Sequence, residues 1–506
     1  MEGTLAPPRG LTPPNIATGM SLGLADLWSA LALLAVCVVM RASTLGDMNF
    51  GLDDSFYLLV GERMHQGLVP YVDVWDRKPF GLFAIYWAIA GISTSTWFWQ
   101  VVAWLFASAT AFVIHRMVLP LAGRQGALLA GIAYLVVTCS LGGVNGQAPM
   151  FYNLFVALAA WLVLEARPKL AQGHCGRGIW TAMVLCALAV TVKQTAAFEA
   201  LFLGGYALFS MRRAGAGWPR LARLALSFAL VGALPIAAIA LGYWSIGHFA
   251  EFWHAMVRAN LERPTFGASR GAGWMLAVPM RLAALATLAL WGLTRCKDRA
   301  AAWFLCGWLL AALVGFLAVP NLFIHYALPL AVPLSVGAGL AFADVRLGRV
   351  LFVAAMLWQS VWYQPFDFAT RRQSIAAMDE LAALVERHDG GGGLLVYDGP
   401  VWVYAMTGKA FLSPLVFPHH LNHALERNVS HLDTGAEVAR VIAGQPGVIL
   451  ASRFPRNQPV NWQTRRIVMD YARSHCRLAG TVVVLDGSGA APIEVWGDCA
   501  TRRANS

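Results

Sequence analysis

The 506 residues are 58% hydrophobic and only 13% charged, with a mean hydropathy of +0.57, against about 25% charged and about 45–50% apolar residues in an average soluble chain. That balance excludes a soluble Rossmann or barrel enzyme, a disordered chain and a disulfide miniprotein, and leaves a polytopic membrane protein. The excess of 38 Lys and Arg over 27 Asp and Glu is no argument for nucleic-acid binding, because basic residues collect on the cytoplasmic side of any inner-membrane protein.

Apolar runs of membrane-spanning length predict eleven helices, at 24–42, 96–117, 125–142, 149–165, 178–194, 196–211, 224–245, 274–294, 300–319, 323–343 and 349–363. With the tail 1–23 on the cytoplasmic side, the inner connections hold fifteen Lys and Arg and the outer ones up to residue 364 hold eight, spread over longer loops. The positive-inside rule therefore predicts a cytoplasmic N-terminus. Pro7, Pro8, Pro13 and Pro14 precede a first apolar run that no small-residue cleavage site follows, which argues against a cleaved signal. Segment 79–92 is apolar throughout but short for a span, and is predicted to lie along the outer interface within the outer loop 43–95.

An odd number of spans sends the chain beyond 364 outside. There the composition changes: a helix near 374–388, a strand at 394–397, a helix from a Thr434 cap to Ala443, a strand at 448–451 and strands near 481–485 and 493–496 predict a small α/β domain, 365–506. Cys476 and Cys499 are the only cysteines in it. An oxidising compartment permits them to pair, and two free thiols remain the other reading.

The first outer loop is dense in acids, aromatics and cations: Asn49-Phe-Gly-Leu-Asp53-Asp54-Ser-Phe-Tyr57, then Gly67-Leu-Val-Pro70-Tyr71-Val-Asp73-Val-Trp75-Asp76-Arg77-Lys78-Pro79. Adjacent carboxylates raise one another's pKa, which suits a general base or a cation site. The structural alternative is that Asp53 or Asp54 simply caps a helix.

The whole string resembles the first periplasmic loop of GT-C glycosyltransferases of family 39, the group of protein O-mannosyltransferases and aminoarabinose-to-lipid-A transferases. The resemblance rests on Asp-Asp-x-x-Tyr, Gly-x-x-Pro-Tyr-x-Asp and Lys-Pro ahead of an apolar segment. It implies Asp53 as catalytic base, Asp54 as the acid beside it and Lys78 near a lipid phosphate. The family's acid before that lysine is often Glu, and here it is Arg77. The family's acid near the start of the fourth span is matched only by the neutral Asn145 and Gln147, so a divalent metal has weak support. Gln147 remains a candidate hydrogen-bond partner for a sugar, beside the plain reading of a turn.

Lys193, in Thr191-Val-Lys193, matches a lysine that in the family faces polyprenyl phosphate, and snorkelling is its plainer reading. His325 opens a His-Tyr-x-x-Pro segment similar to the family's late span start, and is a third candidate for the phosphate. Tyr57, Tyr71 and Trp75 are candidates for lining the sugar or acceptor site, because aromatic faces with a polar tip suit a half-wet sugar. Arg258, Arg263 and Arg270 in the loop 247–273 either bind phosphate or flank an interfacial helix. His419, His420 and His423 have metal-like spacing only if helical, and Pro418 favours a turn.

The fold implied is an α-helical polytopic GT-C module, 24–364, with an extracytoplasmic α/β domain, in a bacterial inner membrane. The activity implied is inverting transfer of a sugar from a polyprenyl-phosphate donor to a hydroxyl of a lipid, polysaccharide or protein acceptor at the outer face. The competing reading is a transporter or flippase of a lipid-linked sugar, which predicts internal repeats and broken spans near midplane. No clear repeat relates the two halves.

Overall fold

The computed structural model describes residues 23–262, 272–319, 321–344, 346–456, 458–486 and 489–499. Residues 1–22 of the predicted tail 1–23 and the candidates Arg263 and Arg270 lie outside these residues.

All eleven apolar runs are helical over most of their length. Seven helices among the described residues are long and apolar enough to cross a membrane. Two expected spans, 96–117 and 125–142, belong to one continuous assignment, Phe98–Ser140. Gly123 breaks it at φ +70°, a conformation that costs glycine little, and the Ala111 carbonyl then lies 3.0 Å from where a Cβ on Gly131 would stand. The segment is therefore a helical hairpin and accounts for both spans. Arg177–Val192 and Leu347–Ser360 are shorter apolar helices of 16 and 14 residues. Ala196–Arg213 carries Glu199 and two terminal arginines. Its buried Glu199 accepts a hydrogen bond from the Trp308 indole at 2.7 Å, the arrangement an acid at this depth requires.

The segment at 79–92 is a 13-residue helix, Phe80–Ile92, about 20 Å long and too short to span. It packs on Leu52–Met64, where the Tyr86 backbone lies so close to Gly61 that a Cβ there would meet it at 2.6 Å.

Beyond Ser360 the chain builds the α/β unit. A long helix, Phe368–Arg387, leads into a four-stranded sheet of β1 (Leu394–Val396), β2 (Val448–Ser452), β3 (Arg477–Asp486) and β4 (Gly489–Gly497). The strand order is β1-β2-β4-β3, with β1 and β2 parallel and the remaining pairs antiparallel. The helix at 434–443 is capped by Asp433, whose carboxylate accepts from the Ala436 N–H at 2.8 Å, and not by Thr434. The helix Trp462–His475 escaped the sequence reading because its polar, Arg-rich stretch has little apolar content to betray it. Cys476 and Cys499 form a disulfide.

The α/β unit is seated on the helical bundle by polar contacts. Ser374 donates to Asp47 at 2.8 Å, Arg371 to the Leu45 carbonyl at 2.6 Å, Tyr363 to the Met40 carbonyl at 2.8 Å, and the Trp75 N–H to the Pro414 carbonyl at 2.9 Å. One open cleft results between the two parts.

Candidate active site

Leu52–Met64 begins at Gly51, which occupies the cap position without any side-chain capping bond. Asp53 and Asp54 therefore sit inside the first helical turn, where the positive end of the helix dipole favours carboxylates, and neither acts as the cap. The helix turns them to different surroundings. Asp54 is buried, receives a hydrogen bond from the Gly146 N–H, and has one oxygen without a hydrogen-bond partner among the described residues. Burial, and the neighbouring Asp53 charge, push its carboxyl well above the usual range. Asp53 is only partly covered and lines the cleft. Burial pushes Asp53 up, but Lys78, then His325 and His419, and a hydrogen bond from Gln147, together outweigh it and hold it at about 2. The two carboxyls are thus pushed in opposite directions, Asp53 down and Asp54 up.

Lys78 is set by the turn before it. Tyr71 adopts φ +70°, its N–H bonds the Val74 carbonyl at 2.6 Å, and its hydroxyl donates to the Lys78 carbonyl at 2.8 Å. The Lys78 N–H bonds Asp76 at 2.9 Å. Pro79 then fixes the entry to Phe80–Ile92, keeping Lys78 out of the helix. The ammonium reaches 3.7 Å from Asp53 Oδ2, donates to the Tyr57 hydroxyl and lies 4.9 Å from the Tyr57 ring centre.

The cleft, about 1050 Å³ counted out to solvent, is lined by Asp53 and Lys78 and by Lys193, His325 and Tyr326 from the bundle. Lys193 ends the helix Arg177–Val192, with its ammonium 4.5 Å from the Tyr326 ring centre. His325 stacks on Phe323, with ring centres 5.6 Å apart. The candidates Asp53, Lys78, Lys193 and His325, separated by as many as 272 residues, therefore meet on one wall.

The aromatic candidates are placed differently. Tyr57 is fully buried behind Lys78 and orients it. Tyr71 is fully buried against Tyr243 and Phe252. Trp75 is fully buried in the core of the α/β unit, edge-on to His420. None of the three is on the cleft wall. Gln147 contacts Asp53 from the start of the helix Ala148–Ala171. Arg258 points away into an exposed pair with Glu262 at 3.6 Å.

The α/β unit supplies the opposite wall with Phe417, His419, His420, His423 and Glu426, residues that no local pattern groups with Asp53. Arg77, the departure from the family's acid, forks onto Glu426 with both bonds at 2.6 Å. Burial raises Glu426, but His420 and Arg77 override it and hold it well below the usual carboxylate range. His419–Asn422 is a single short helical turn. The His423 nitrogens are both engaged, one with the Gln458 carbonyl at 2.9 Å and one with the Leu425 N–H at 3.1 Å, so the three histidines do not converge. Among the described residues no three His, Cys, Asp or Glu side chains group as a metal site.

No family model matches the sequence, and no curated protein does. Solved structures do match. ArnT from Cupriavidus metallidurans bound to undecaprenyl phosphate is 14% identical, with TM-score 0.63 over 94% of this chain and 99% of that one. The chain has the GT-C fold. Its apo form matches equally, with TM-score 0.62. An Archaeoglobus fulgidus oligosaccharyltransferase tethered to an acceptor peptide is more distant, 12% identical with TM-score 0.51 over 84% of this chain and 69% of that one. The GT-C fold accounts for a multi-pass membrane protein whose long first loop and C-terminal unit close over one cleft.

Proposed function

We propose that the protein is a membrane glycosyltransferase that moves a sugar from a polyprenyl-phosphate donor to an acceptor hydroxyl at the outer membrane face, inverting the anomeric centre. The observation that carries this reading is the pairing, in one cleft of a GT-C fold, of a carboxylate, Asp53, with an ammonium, Lys78, at 3.7 Å. The similar ArnT structure holding undecaprenyl phosphate supports a lipid-phosphate donor.

In this mechanism the acceptor oxygen attacks the anomeric carbon as Asp53 takes its proton. The bond from the anomeric carbon to the phosphate oxygen breaks, and polyprenyl phosphate leaves with the bonding electrons. Lys78 and Lys193 face the growing negative charge on that oxygen, the role of preorganised cations at a developing anion. In the empty cleft Lys78 also restrains Asp53. Engagement of Lys78 by phosphate draws the ammonium's charge to the leaving group and makes Asp53 a stronger base when donor is bound. Asp54, whose carboxyl burial and the Asp53 charge push upward, resists adding a second negative charge near the phosphate.

The test uses purified protein in lipid with polyprenyl-phosphate hexoses and pentoses, envelope lipids and polysaccharides as acceptors, and release of polyprenyl phosphate as readout. Release with a product of opposite anomeric configuration is expected. Donor binding without bond cleavage across the panel, or vectorial movement of intact donor, would instead identify a carrier.

A further inference from the structure

The two walls of the cleft differ in what they lack. The bundle wall carries the two ammonium groups of Lys78 and Lys193 beside Asp53 and His325. The facing wall holds Arg77, His419 and His420, and in it four buried polar atoms find no hydrogen-bond partner among the described residues: Arg77 Nη1, His419 Nδ1 and both ring nitrogens of His420, of which Nδ1 stands 3.7 Å from Glu426. A buried polar atom left unsatisfied is costly, and four in one wall of one cleft mark a surface shaped for something polar. His420 is only 6% exposed, so bulk water does not reach it freely.

The charge on this wall decides the class of ligand. Arg77 is neutralised by its fork on Glu426. Burial, the leading cause, lowers His419 to about 4, which leaves the imidazole uncharged near neutral pH. The uncharged His419 imidazole is poor at holding phosphate, whereas it both donates and accepts, as sugar hydroxyls require. Phe417 completes it, stacked on His419 with ring centres 5.0 Å apart, and offers an apolar face to the C–H side of a ring.

We propose that Arg77, His419, His420 and Phe417 form the subsite for the sugar ring, so that the α/β unit reads the sugar while the bundle holds the phosphate. This rests on the glycosyltransferase reading above, and it moves the ring away from Tyr71 and Trp75. It also gives Arg77 a purpose: clamped by Glu426, it presents one donor to the ring.

Binding to the full-length protein in nanodiscs tests it, with undecaprenyl phosphate and undecaprenyl-phosphate glucose, mannose and arabinose as probes. His419→Ala and His420→Ala should leave undecaprenyl phosphate affinity unchanged and weaken the best sugar-bearing probe about tenfold, the scale of one or two lost hydrogen bonds. His420→Gln should recover part of that loss, and Lys78→Ala should weaken every probe. Thermal unfolding checks that each variant is folded. If wild type prefers a sugar-bearing lipid and both alanine variants keep that preference, the subsite is elsewhere, the four orphan atoms are served by water, and the transferase reading survives. If wild type binds lipid with and without sugar alike, or binds neither, the transferase reading fails and the subsite with it.

Discussion

Asp53 and Asp54 are chemically identical neighbours that the first turn of one helix turns to opposite fates. Asp53 faces the cleft and is held at about 2 because Lys78, with His325 and His419, outweighs its burial. A carboxyl lowered in the folded state contributes stability that is present above its ordinary range and lost as pH falls through the lowered value. Asp53 therefore stays ionised through the neutral range, and its titration should put no acid limb on the rate above about pH 4. Removing the ammonium leaves burial as the dominant influence, so in Lys78→Met the acid limb should move up in pH, readable in the residual release of polyprenyl phosphate. An unmoved limb would mean that Lys78 does not set the Asp53 charge. At this scale the sequence was partly legible. Asp53, Lys78, Lys193 and His325 were singled out because motif spacing marks them, and the fold brings all four to one cleft. Tyr71 and Trp75 were placed in the sugar site because aromatic character is visible in sequence, while the direction in which a buried ring points is not. Asp54 was grouped with Asp53 for the same reason.

Elements place these residues, and two contacts matter most. Gly81 opens the helix Phe80–Ile92 three residues after Lys78, and a Cβ there would stand 2.6 Å from the Thr191 carbonyl, two residues before Lys193. The crossing thus sets the spacing of the two ammonium groups. Gly81→Ala should cost about 1–3 kcal/mol of stability through overpacking and weaken undecaprenyl phosphate binding in the same variant; a stable protein with unchanged binding would break the link between crossing and site. The second contact is Arg77 with Glu426, side chains only 10% and 9% exposed. Breaking one partner of a buried pair costs about 3–5 kcal/mol, and replacing both by apolar residues costs far less. Arg77→Met and Glu426→Leu should each lower the unfolding temperature markedly, while the double variant recovers most of the loss. Glu426 is lowered too, so the pair's contribution should be full above its ordinary range and fall away in acid. The pair joins positions 349 residues apart, and a charge reversal at 77 with its answer at 426 leaves no local trace in the sequence. The helices themselves were legible because an apolar run long enough to span must fold as a helix. The Phe98–Ser140 hairpin shows why boundaries were harder, since helical hydrogen bonding continues around Gly123.

The whole molecule is a helical bundle that supplies one wall of the cleft, with Asp53, Lys78, Lys193 and His325, and an α/β unit that covers it with the other, holding Phe417, His419 and His420. Composition announced the bundle, and strand patterning announced the covering unit. What neither announced was that the unit belongs to the site, because the contacts that bring it there are single side chains scattered between 371 and 426. The Cys476–Cys499 disulfide closes a loop of 23 residues in that unit. Its loss should cost roughly 3 kcal/mol, so Cys476→Ser should unfold the unit at lower temperature; no change would mean that the thiols are unpaired in the cell. The central claim is that Asp53 takes the proton from the acceptor. Release of polyprenyl phosphate in a single turnover, measured for wild type, Asp53→Asn and Asp54→Asn with donor binding checked for each, tests it most directly. The account predicts a loss of about 10²–10⁴ in Asp53→Asn at unchanged donor affinity, with Asp54→Asn much less affected. Equal release by Asp53→Asn and wild type would contradict it.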